Sequence, residues 1–140
     1  MVNLEDKAAL SRIRMIATDL DGTLLTRDNG VSLFNAAMVK KATRAGIKIV
    51  LATGRSSGTA ERIGRRLGLD GPFICANGAH VLSIQPREDW QFVPIPADVL
   101  PGLLAILRGM GVAFEAAVRG GVVFERQFCK PRPLLPSGDG

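Results

Sequence analysis

The feature that most constrains the fold is an alternation of short apolar segments and amphipathic segments over residues 13–76 of the 140-residue chain. Apolar, β-branched runs at residues 13–20, 47–52 and 73–76 predict three buried strands. The segments between these runs predict two helices, each with capping signals at its ends. Because each helix returns the chain for another strand, the order β-α-β-α-β predicts a parallel sheet with right-handed crossovers. We therefore expect an α/β fold.

Local signals delimit both helices of this first part. Ser32 suits the N-cap of a helix that ends near Ala45, and Gly46 suits the position after its end. The second helix runs from about Ser56 to Leu67, and Gly68 follows it. The apolar stripe expected to bury the first helix consists of Phe34, Met38, Ala42 and Ala45.

The pattern changes after Asn77-Gly78, a dipeptide typical of tight turns. Two short apolar strands, at residues 79–84 and 91–95, flank a polar stretch at residues 85–89. A helix then follows Asp98, which suits its N-cap. Its apolar positions recur at helical spacing, and they are Val99, Leu103, Ile106 and Met110.

The last periodic segment is a hairpin. Apolar strands at residues 112–118 and 122–128 flank Arg119-Gly120-Gly121, which predicts the turn between them. We therefore divide the chain into a partial α/β core over residues 1–84, a partial α/β unit over residues 85–128, and an irregular tail rich in Pro and Gly over residues 129–140.

Charge and composition narrow the class of partner. The chain carries 18 basic and 13 acidic residues, a net charge of +5. The basic residues are scattered, and with no Tyr and one Trp there is little aromatic surface for stacking bases, so nucleic-acid binding is disfavoured. The apolar runs are too short to cross a bilayer. Cys75 and Cys129 lack zinc-ligand spacing, and the N-terminus lacks an apolar signal segment, so we expect a reducing cytoplasmic location.

The sharpest chemical feature is the sequence Asp19-Leu20-Asp21-Gly22-Thr23 after the first strand. Residues two apart in an extended chain point the same way, so both carboxylates can converge on one spot. That spot is the carboxyl edge of a parallel sheet, where open α/β folds bind ligands. Two convergent carboxylates repel unless a cation lies between them, and Mg²⁺ is the natural candidate. A loop with two solvated Asp residues is the plainer alternative.

Two more polar segments follow the next two strands. Thr53-Gly54-Arg55-Ser56 combines a hydroxyl, a glycine and a helix N-terminus, which suits a phosphate group, although ordinary turn chemistry explains it as well. Asn77 fits a functional role and a plain tight turn equally. Arg55 lies near the predicted phosphate position or on the surface. The coincidence of three strand ends suited to one phosphate favours the functional interpretation.

These residues resemble the haloacid dehalogenase-like (HAD) phosphatase superfamily. The sequences DLDGTLL, ATGR and ANGA, each after a predicted strand, are most similar to its Cof-type branch (subclass IIB), in which an α/β cap is inserted after the third strand. The resemblance covers about residues 12–126. It implies a Rossmann-like parallel core sheet with the beginning of the cap, and a Mg²⁺-dependent phosphohydrolase acting on small phosphorylated metabolites.

The resemblance also implies roles for individual residues. Asp19 would be the nucleophile that forms an aspartyl-phosphate, and Asp21 would protonate the leaving group and then activate water. Thr53 would hydrogen-bond the transferring phosphoryl group. Asp19 and the main-chain carbonyl of Asp21 would ligate Mg²⁺. The remaining phosphate- or substrate-binding candidates are Gly22, Thr23, Gly54, Arg55 and Asn77.

Two family motifs are not recognisable, a Lys that stabilises the phosphoryl group and an acidic cluster that completes the metal site. We therefore expect the N-terminal portion of such an enzyme, with weak Mg²⁺ binding and reduced or absent activity. A catalytically silent phosphate-binding or interaction module is the alternative. In the family's sheet the first strand is central, so here we expect its free apolar edge to promote self-association.

Overall fold

The structure, a computed structural model, describes residues 11–125 of the chain. The expectations for Cys129, for the tail over residues 129–140 and for the end of the second hairpin strand lie outside this range. The described part contains seven strands and three helices. They are β1 (Met15–Thr18), α1 (Leu33–Arg44), β2 (Lys48–Ala52), α2 (Ser57–Leu67), β3 (Phe73–Cys75), β4 (His80–Ile84), β5 (Arg87–Phe92), α3 (Leu100–Gly109), β6 (Glu115–Val118) and β7 (Gly121–Phe124).

The first five strands form one sheet in the order β1-β2-β3-β4-β5. β1, β2 and β3 are parallel, with Met15 opposite Lys48 and Leu51 opposite Phe73. The α/β class and the β-α-β-α-β core are confirmed. Helix α1 packs against β2, α2 packs against β3 and β4, and the two helices contact one another, so they cover the same face of the sheet.

The sheet continues beyond β3 as an antiparallel hairpin of β4 and β5. Residues 87–89, expected in a polar stretch between strands, are therefore part of β5. Exposed polar side chains are compatible with this position, because β5 is the last strand of the described sheet. The expected boundary at residue 85 falls in the β4–β5 turn, and the domain division itself stays a prediction.

The core lies between the sheet and the two helices α1 and α2. Phe73, Leu51 and Leu82 are fully buried at its centre. Gly64 of α2 lies over the ring of Phe73, and a Cβ added there would be 2.3 Å from Cζ. The absence of a side chain therefore lets α2 approach the sheet closely.

Strand β1 differs from the other parallel strands in its exposure. We predicted a buried strand here, and this is wrong for the described residues: Met15 is 59% exposed and Ile16 is 40% exposed. Successive side chains of a strand point to opposite faces, so both faces of β1 are open. Among residues 11–125, β1 pairs with β2 alone, which accounts for the exposure.

Helix α1 begins as predicted but turns a different face to the core. The Ser32 hydroxyl accepts a hydrogen bond from the backbone N–H of Asn35 at 3.0 Å. The side-chain amide of Asn35 donates to the carbonyl of Leu24 at 3.0 Å. These bonds orient the helix so that Val39 is buried, whereas Phe34 of the predicted stripe is 71% exposed. Met38 is exposed as well, so of the predicted stripe Ala42 alone packs against the core.

Helix α3 also departs from the sequence expectation. It begins at Leu100 after Val99, and Asp98 makes no capping bond, so that prediction is wrong. Pro101 lies in the first turn, where its missing N–H costs no helical hydrogen bond. Ile106 and Met110 face solvent. The more protected face instead consists of Leu103, Leu104 and Leu107.

The predicted hairpin of β6 and β7 is confirmed, with Val118 opposite Gly121 at its closed end. Within residues 11–125, no helix has the length and apolar character needed to cross a membrane.

Candidate active site

The carboxyl ends of β1, β2 and β3 border an open cleft of about 510 Å³. Asp19, Thr53 and Asn77 line this cleft, together with Gly54 and Gly78. Asp19 follows β1, Thr53 and Gly54 follow β2, and Asn77 and Gly78 follow β3. The topology therefore brings the three predicted strand ends together at one edge of the sheet.

The segment after β1 forms a single wide turn over Leu20–Leu24. The Leu24 N–H donates to the Asp19 carbonyl at 3.3 Å, and the Leu25 N–H donates to the Leu20 carbonyl at 2.8 Å. Gly22 has a φ of +70°, in the left-handed region that glycine adopts at little cost. Leu20 and Leu24 are buried while both carboxylates remain exposed, so apolar anchors hold the acidic turn against the core.

Arg55 is the cationic partner of this acidic turn. Its Nε donates to Oδ2 of Asp21 at 2.8 Å and its Nη2 donates to Oδ1 at 2.5 Å, a bidentate pair. These hydrogen bonds lower the pKa of Asp21 below its ordinary value. The same bonds raise the pKa of Arg55, and the charge of Asp19 adds to the effect. A guanidinium thus supplies the positive charge that two neighbouring carboxylates require.

Asn29 also contributes to the placement of Arg55, because its side-chain oxygen accepts a hydrogen bond from Nη2. The sequence analysis missed this residue. Its only local signal is a turn-forming Asn-Gly pair, and nothing in that pair indicates a contact 26 residues away.

Thr53 is buried at the base of the cleft. Its hydroxyl oxygen accepts the N–H of Arg55 at 3.1 Å, and its own N–H donates to the Ile74 carbonyl at 2.8 Å. The Ala76 N–H donates to the Arg55 carbonyl at 2.9 Å. The loops after β2 and β3 are therefore joined by backbone hydrogen bonds, which fix Thr53 relative to Asn77.

The turn Ala76–Gly78 has three successive residues with positive φ: 49°, 54° and 95°. Ala76 and Asn77 adopt this region at an energetic cost, and such strain occurs most often at functional sites. A Cβ on Gly54 would lie 2.9 Å from Oδ1 of Asn77. Glycine at position 54 therefore lets the Asn77 side chain approach the loop after β2.

The structure separates the predicted site residues into two groups. Asp19, Thr53, Gly54 and Asn77 line the cleft. The other group lies in the adjoining acidic turn or pairs with it, and it consists of Asp21, Gly22, Thr23 and Arg55. The roles given to both groups from the family resemblance stay predictions.

The β6–β7 hairpin contacts the core beside the start of α2. The Gly120 N–H donates to Oγ of Ser57 at 3.1 Å. Arg119 pairs with Asp89 and lies over the ring of Phe92, with 4.2 Å from its Cζ to the ring centroid. These contacts hold the hairpin against the start of α2 and against β5.

His80, the single His of the sequence, is buried, with 3% of its surface exposed. Its Nε2 lies 2.9 Å from Oδ1 of Asp89, and its ring meets Phe92 edge-on at 5.1 Å. Its partner Asp89 lies in β5, within the stretch 85–89 that the sequence analysis expected between two strands. Burial raises the pKa of the Cys75 thiol to about 11, with the charge of Glu61 adding to it. Cys75 is therefore a buried thiol that is poorly suited to act as a nucleophile.

The donor set suits a water-rich Mg²⁺ site better than a closed protein cage. No cluster of three or more His, Cys, Asp or Glu side chains suited to a metal occurs within residues 11–125. Arg55 pairs with both carboxylate oxygens of Asp21, whereas the carboxylate of Asp19 is exposed beside the cleft. The ligands that the family resemblance implies, Asp19 and the main-chain carbonyl of Asp21, are both oxygen donors. Mg²⁺ keeps several waters and accepts substrate phosphate oxygens, and the residues fit that mode of binding.

Comparison with known proteins decides the family. A sequence profile described as haloacid dehalogenase-like hydrolase matches residues 16–131, most of the chain. The chain belongs to the haloacid dehalogenase-like hydrolases. The HMP-PP phosphatase of Serratia proteamaculans is 35% identical over 91 residues, which is 65% of this chain and 33% of that protein. The pyridoxal phosphate phosphatase YbhA of Escherichia coli is 32% identical over 83 residues, 59% of this chain and 30% of that protein.

Solved structures of haloacid dehalogenase-like hydrolases agree in fold. One from Bacteroides thetaiotaomicron superimposes with a TM-score of 0.73 at 24% identity, covering 81% of this chain and 44% of that protein. One from Bacillus subtilis gives a TM-score of 0.66 at 32% identity, covering 74% of this chain and 36% of that protein. The chain thus spans about a third of these curated relatives and less than half of these structural relatives.

Proposed function

We propose that the chain carries the phosphate-binding half of a Mg²⁺-dependent phosphohydrolase that acts on small phosphorylated metabolites. The observation that carries the proposal is the meeting of Asp19, Thr53 and Asn77 in one cleft at the ends of three parallel strands. Family membership supports it, because the profile match includes all three strand ends. Two of the curated relatives are phosphatases named for small phosphorylated compounds, HMP-PP and pyridoxal phosphate.

In the proposed reaction, a carboxylate oxygen of Asp19 attacks the phosphorus atom. The leaving oxygen takes a proton from Asp21, and an aspartyl-phosphate forms. Asp21, now ionised, removes a proton from water, and the resulting hydroxide cleaves the aspartyl-phosphate to release inorganic phosphate. In this proposal the hydroxyl of Thr53 and the side chain of Asn77, which both line the cleft, bind the phosphoryl oxygens.

Arg55 sets a condition on this sequence of steps. Its two hydrogen bonds lower the pKa of Asp21 and so favour the ionised form, which suits a base and not an acid. In the proposal, Arg55 shifts its hydrogen bonds from Asp21 to the bound phosphate, and this shift favours protonation of Asp21. Mg²⁺, when bound, would neutralise charge on the phosphoryl oxygens.

The test is hydrolysis of 4-nitrophenyl phosphate by the purified chain with and without Mg²⁺. We expect turnover that needs Mg²⁺ and that Asp19→Asn abolishes, while Asp28→Asn, a change at an exposed Asp of the next turn, leaves it intact. Retained phosphate binding without turnover would instead support a catalytically silent binding module. DNA retention that falls with salt and is unchanged by Asp19→Asn would favour the nucleic-acid alternative.

We also propose that the free edge of β1 mediates self-association. Ile16 and Met15 expose apolar surface on opposite faces of a strand that pairs with β2 alone in the described part of the chain. Sedimentation at increasing protein concentration measures the association. Ile16→Lys should shift the chain toward monomer, whereas Leu33→Lys, at a fully exposed position of α1, should not. Equal effects of the two changes would contradict pairing through the edge.

The free, buried Cys75 agrees with a reducing compartment, and a cytoplasmic location is part of the same proposal. Fractionation of cells that express the chain tests this location.

A further inference from the structure

The turn over residues 25–31, which follows the acidic turn, is fixed by its own backbone. An antiparallel bridge closes its two ends. The N–H of Thr26 donates to the Gly30 carbonyl at 2.9 Å, and the N–H of Asn29 donates to the Thr26 carbonyl at 3.0 Å. Leu25 is buried in the core, so the turn has a defined position relative to the sheet.

Asn29 is the residue of this turn that reaches the candidate site. Its φ of 63° lies in the left-handed region, which Asn adopts more readily than most residues with a side chain. Its side-chain oxygen accepts a hydrogen bond from Nη2 of Arg55. Because Asn29 is exposed, its side chain contributes this hydrogen bond rather than packing against the core.

The guanidinium of Arg55 keeps one nitrogen without a protein partner. An Arg side chain carries five N–H donors in a planar fork. Nε and Nη2 donate to the carboxylate of Asp21, and Nη2 also donates to Asn29. Within residues 11–125, Nη1 donates to no protein group. Its N–H groups are therefore available to an oxygen of a bound ligand.

Asn29 holds this guanidinium without adding a charge to the site. The hydrogen bonds with Asp21, and to a smaller extent the charge of Asp19, raise the pKa of Arg55. Asp19 lines the cleft, so the positive charge of Arg55 lies within electrostatic reach of the proposed phosphate position. A further carboxylate in place of Asn29 would repel a phosphate, whereas a neutral amide oxygen leaves the charge of Arg55 available to it.

We propose that Asn29 is a positioning residue that holds the Arg55 guanidinium while Arg55 binds the phosphate. The inference rests on the proposed function, in which Arg55 shifts its hydrogen bonds from Asp21 to the phosphate. Nη2 keeps its bond to Asn29 during this shift, so the guanidinium turns about a fixed point and Nη1 donates to a phosphate oxygen. Holding a long side chain in place before the ligand arrives reduces the conformational entropy that is lost on binding.

Calorimetry with inorganic phosphate in the presence of Mg²⁺ tests the role of Asn29 without requiring turnover. Asn29→Gly removes the acceptor but tolerates the positive φ, and it should weaken phosphate binding by about three- to tenfold, the effect of one hydrogen bond. Asp28→Gly is the matched control, because it introduces the same backbone freedom one residue earlier and leaves the hydrogen bonds of Arg55 in place. Its phosphate affinity should equal that of the original chain.

A double-mutant cycle separates positioning from a merely structural role. In the Arg55→Ala background, Asn29→Gly should cause no further loss of phosphate affinity, because the side chain that Asn29 positions is gone. The Nε–Hε NMR signal of Arg55, assigned by its absence from Arg55→Ala, reports the position of the guanidinium before phosphate is added. This signal should shift in Asn29→Gly and keep its position in Asp28→Gly.

The outcomes distinguish this inference from the proposed function. An unchanged affinity in Asn29→Gly, an equal loss in Asp28→Gly, or additive losses in the double variant would overturn the role of Asn29 and leave the proposed function standing. An Arg55 signal that does not move in Asn29→Gly would overturn it as well. Failure of the original chain to bind phosphate would overturn the phosphate cleft itself, and the inference with it.

Discussion

Two apolar strands of the described sheet, β1 and β4, contrast in burial. β1 has one neighbouring strand and is open on both faces, whereas β4 lies between β3 and β5 and contacts α2. Met15 and Ile16 are exposed, while Leu82 and Ile84 are buried. An apolar composition therefore predicts a strand, whereas the burial of that strand depends on the elements that pack beside it. The acidic turn of the candidate site follows the exposed strand.

The largest expected effect separates β4 from β1 by their contributions to stability. Leu82→Ala should lower the free energy of unfolding by about 2–5 kcal/mol, because it removes a fully buried side chain and leaves a cavity. Ile16→Ala should cost less than about 1 kcal/mol, since Ile16 already contacts water. Urea denaturation followed by circular dichroism measures both. Equal losses of unfolding free energy in the two variants would contradict the contrast between β4 and β1.

A second change probes the close approach of α2 to the buried strand β3. Gly64→Ala places a methyl group against the Phe73 ring, and overpacking should cost about 1–3 kcal/mol. Gly102→Ala is the matched control, because a Cβ at that helical position meets no atom within 4 Å. It should stabilise the chain slightly, by up to about 1 kcal/mol. Thermal denaturation of the two variants gives the comparison, and a stable Gly64→Ala variant would refute the close packing.

The smallest expected effect on stability comes from the acidic turn that follows β1, and it is measured through the titration of Asp21. Arg55→Ala removes the hydrogen bonds that lower the pKa of Asp21, so this pKa should rise toward the ordinary value of an Asp side chain. The pKa of Asp21 is lower in the folded protein than in the unfolded chain. The Arg55–Asp21 pair therefore stabilises the protein at pH values above the ordinary pKa of Asp, and this contribution is lost as the pH falls through the lowered pKa. The contribution is small, since both side chains are partly exposed. Carboxyl ¹³C NMR follows the titration, and an unchanged pKa would exclude the pair.

Much of the fold was predictable from local signals, because each depends on a few adjacent residues. The cap at Ser32, the glycine after α1 and the turn at Arg119-Gly120 need only their own segment to form. The faces of α1 and α3 were not predictable from hydrophobicity alone. Asn35 orients α1 through a bond to Leu24, and Leu104 and Leu107 replace Ile106 on the protected side of α3.

The candidate site was also predictable only in part. Strand order alone predicts that Asp19, Thr53 and Asn77 share one sheet edge, and the cleft places them there. The pairing of Arg55 with Asp21 and the burial of His80 against Asp89 were not predictable, because each joins residues from separate loops or strands. Such contacts depend on tertiary packing, which leaves no periodic signal in the sequence.

The central claim is that three strand ends form one phosphate site, and amide chemical shifts test it most directly. Titration of the ¹⁵N-labelled chain with inorganic phosphate in the presence of Mg²⁺ should shift the amides of Gly54, Arg55 and Gly78 together, with a single dissociation constant. Asp19→Asn should change that constant and Asp28→Asn should not. Shifts confined to surface Arg and Lys residues, or different constants for the loops after β2 and β3, would contradict the account.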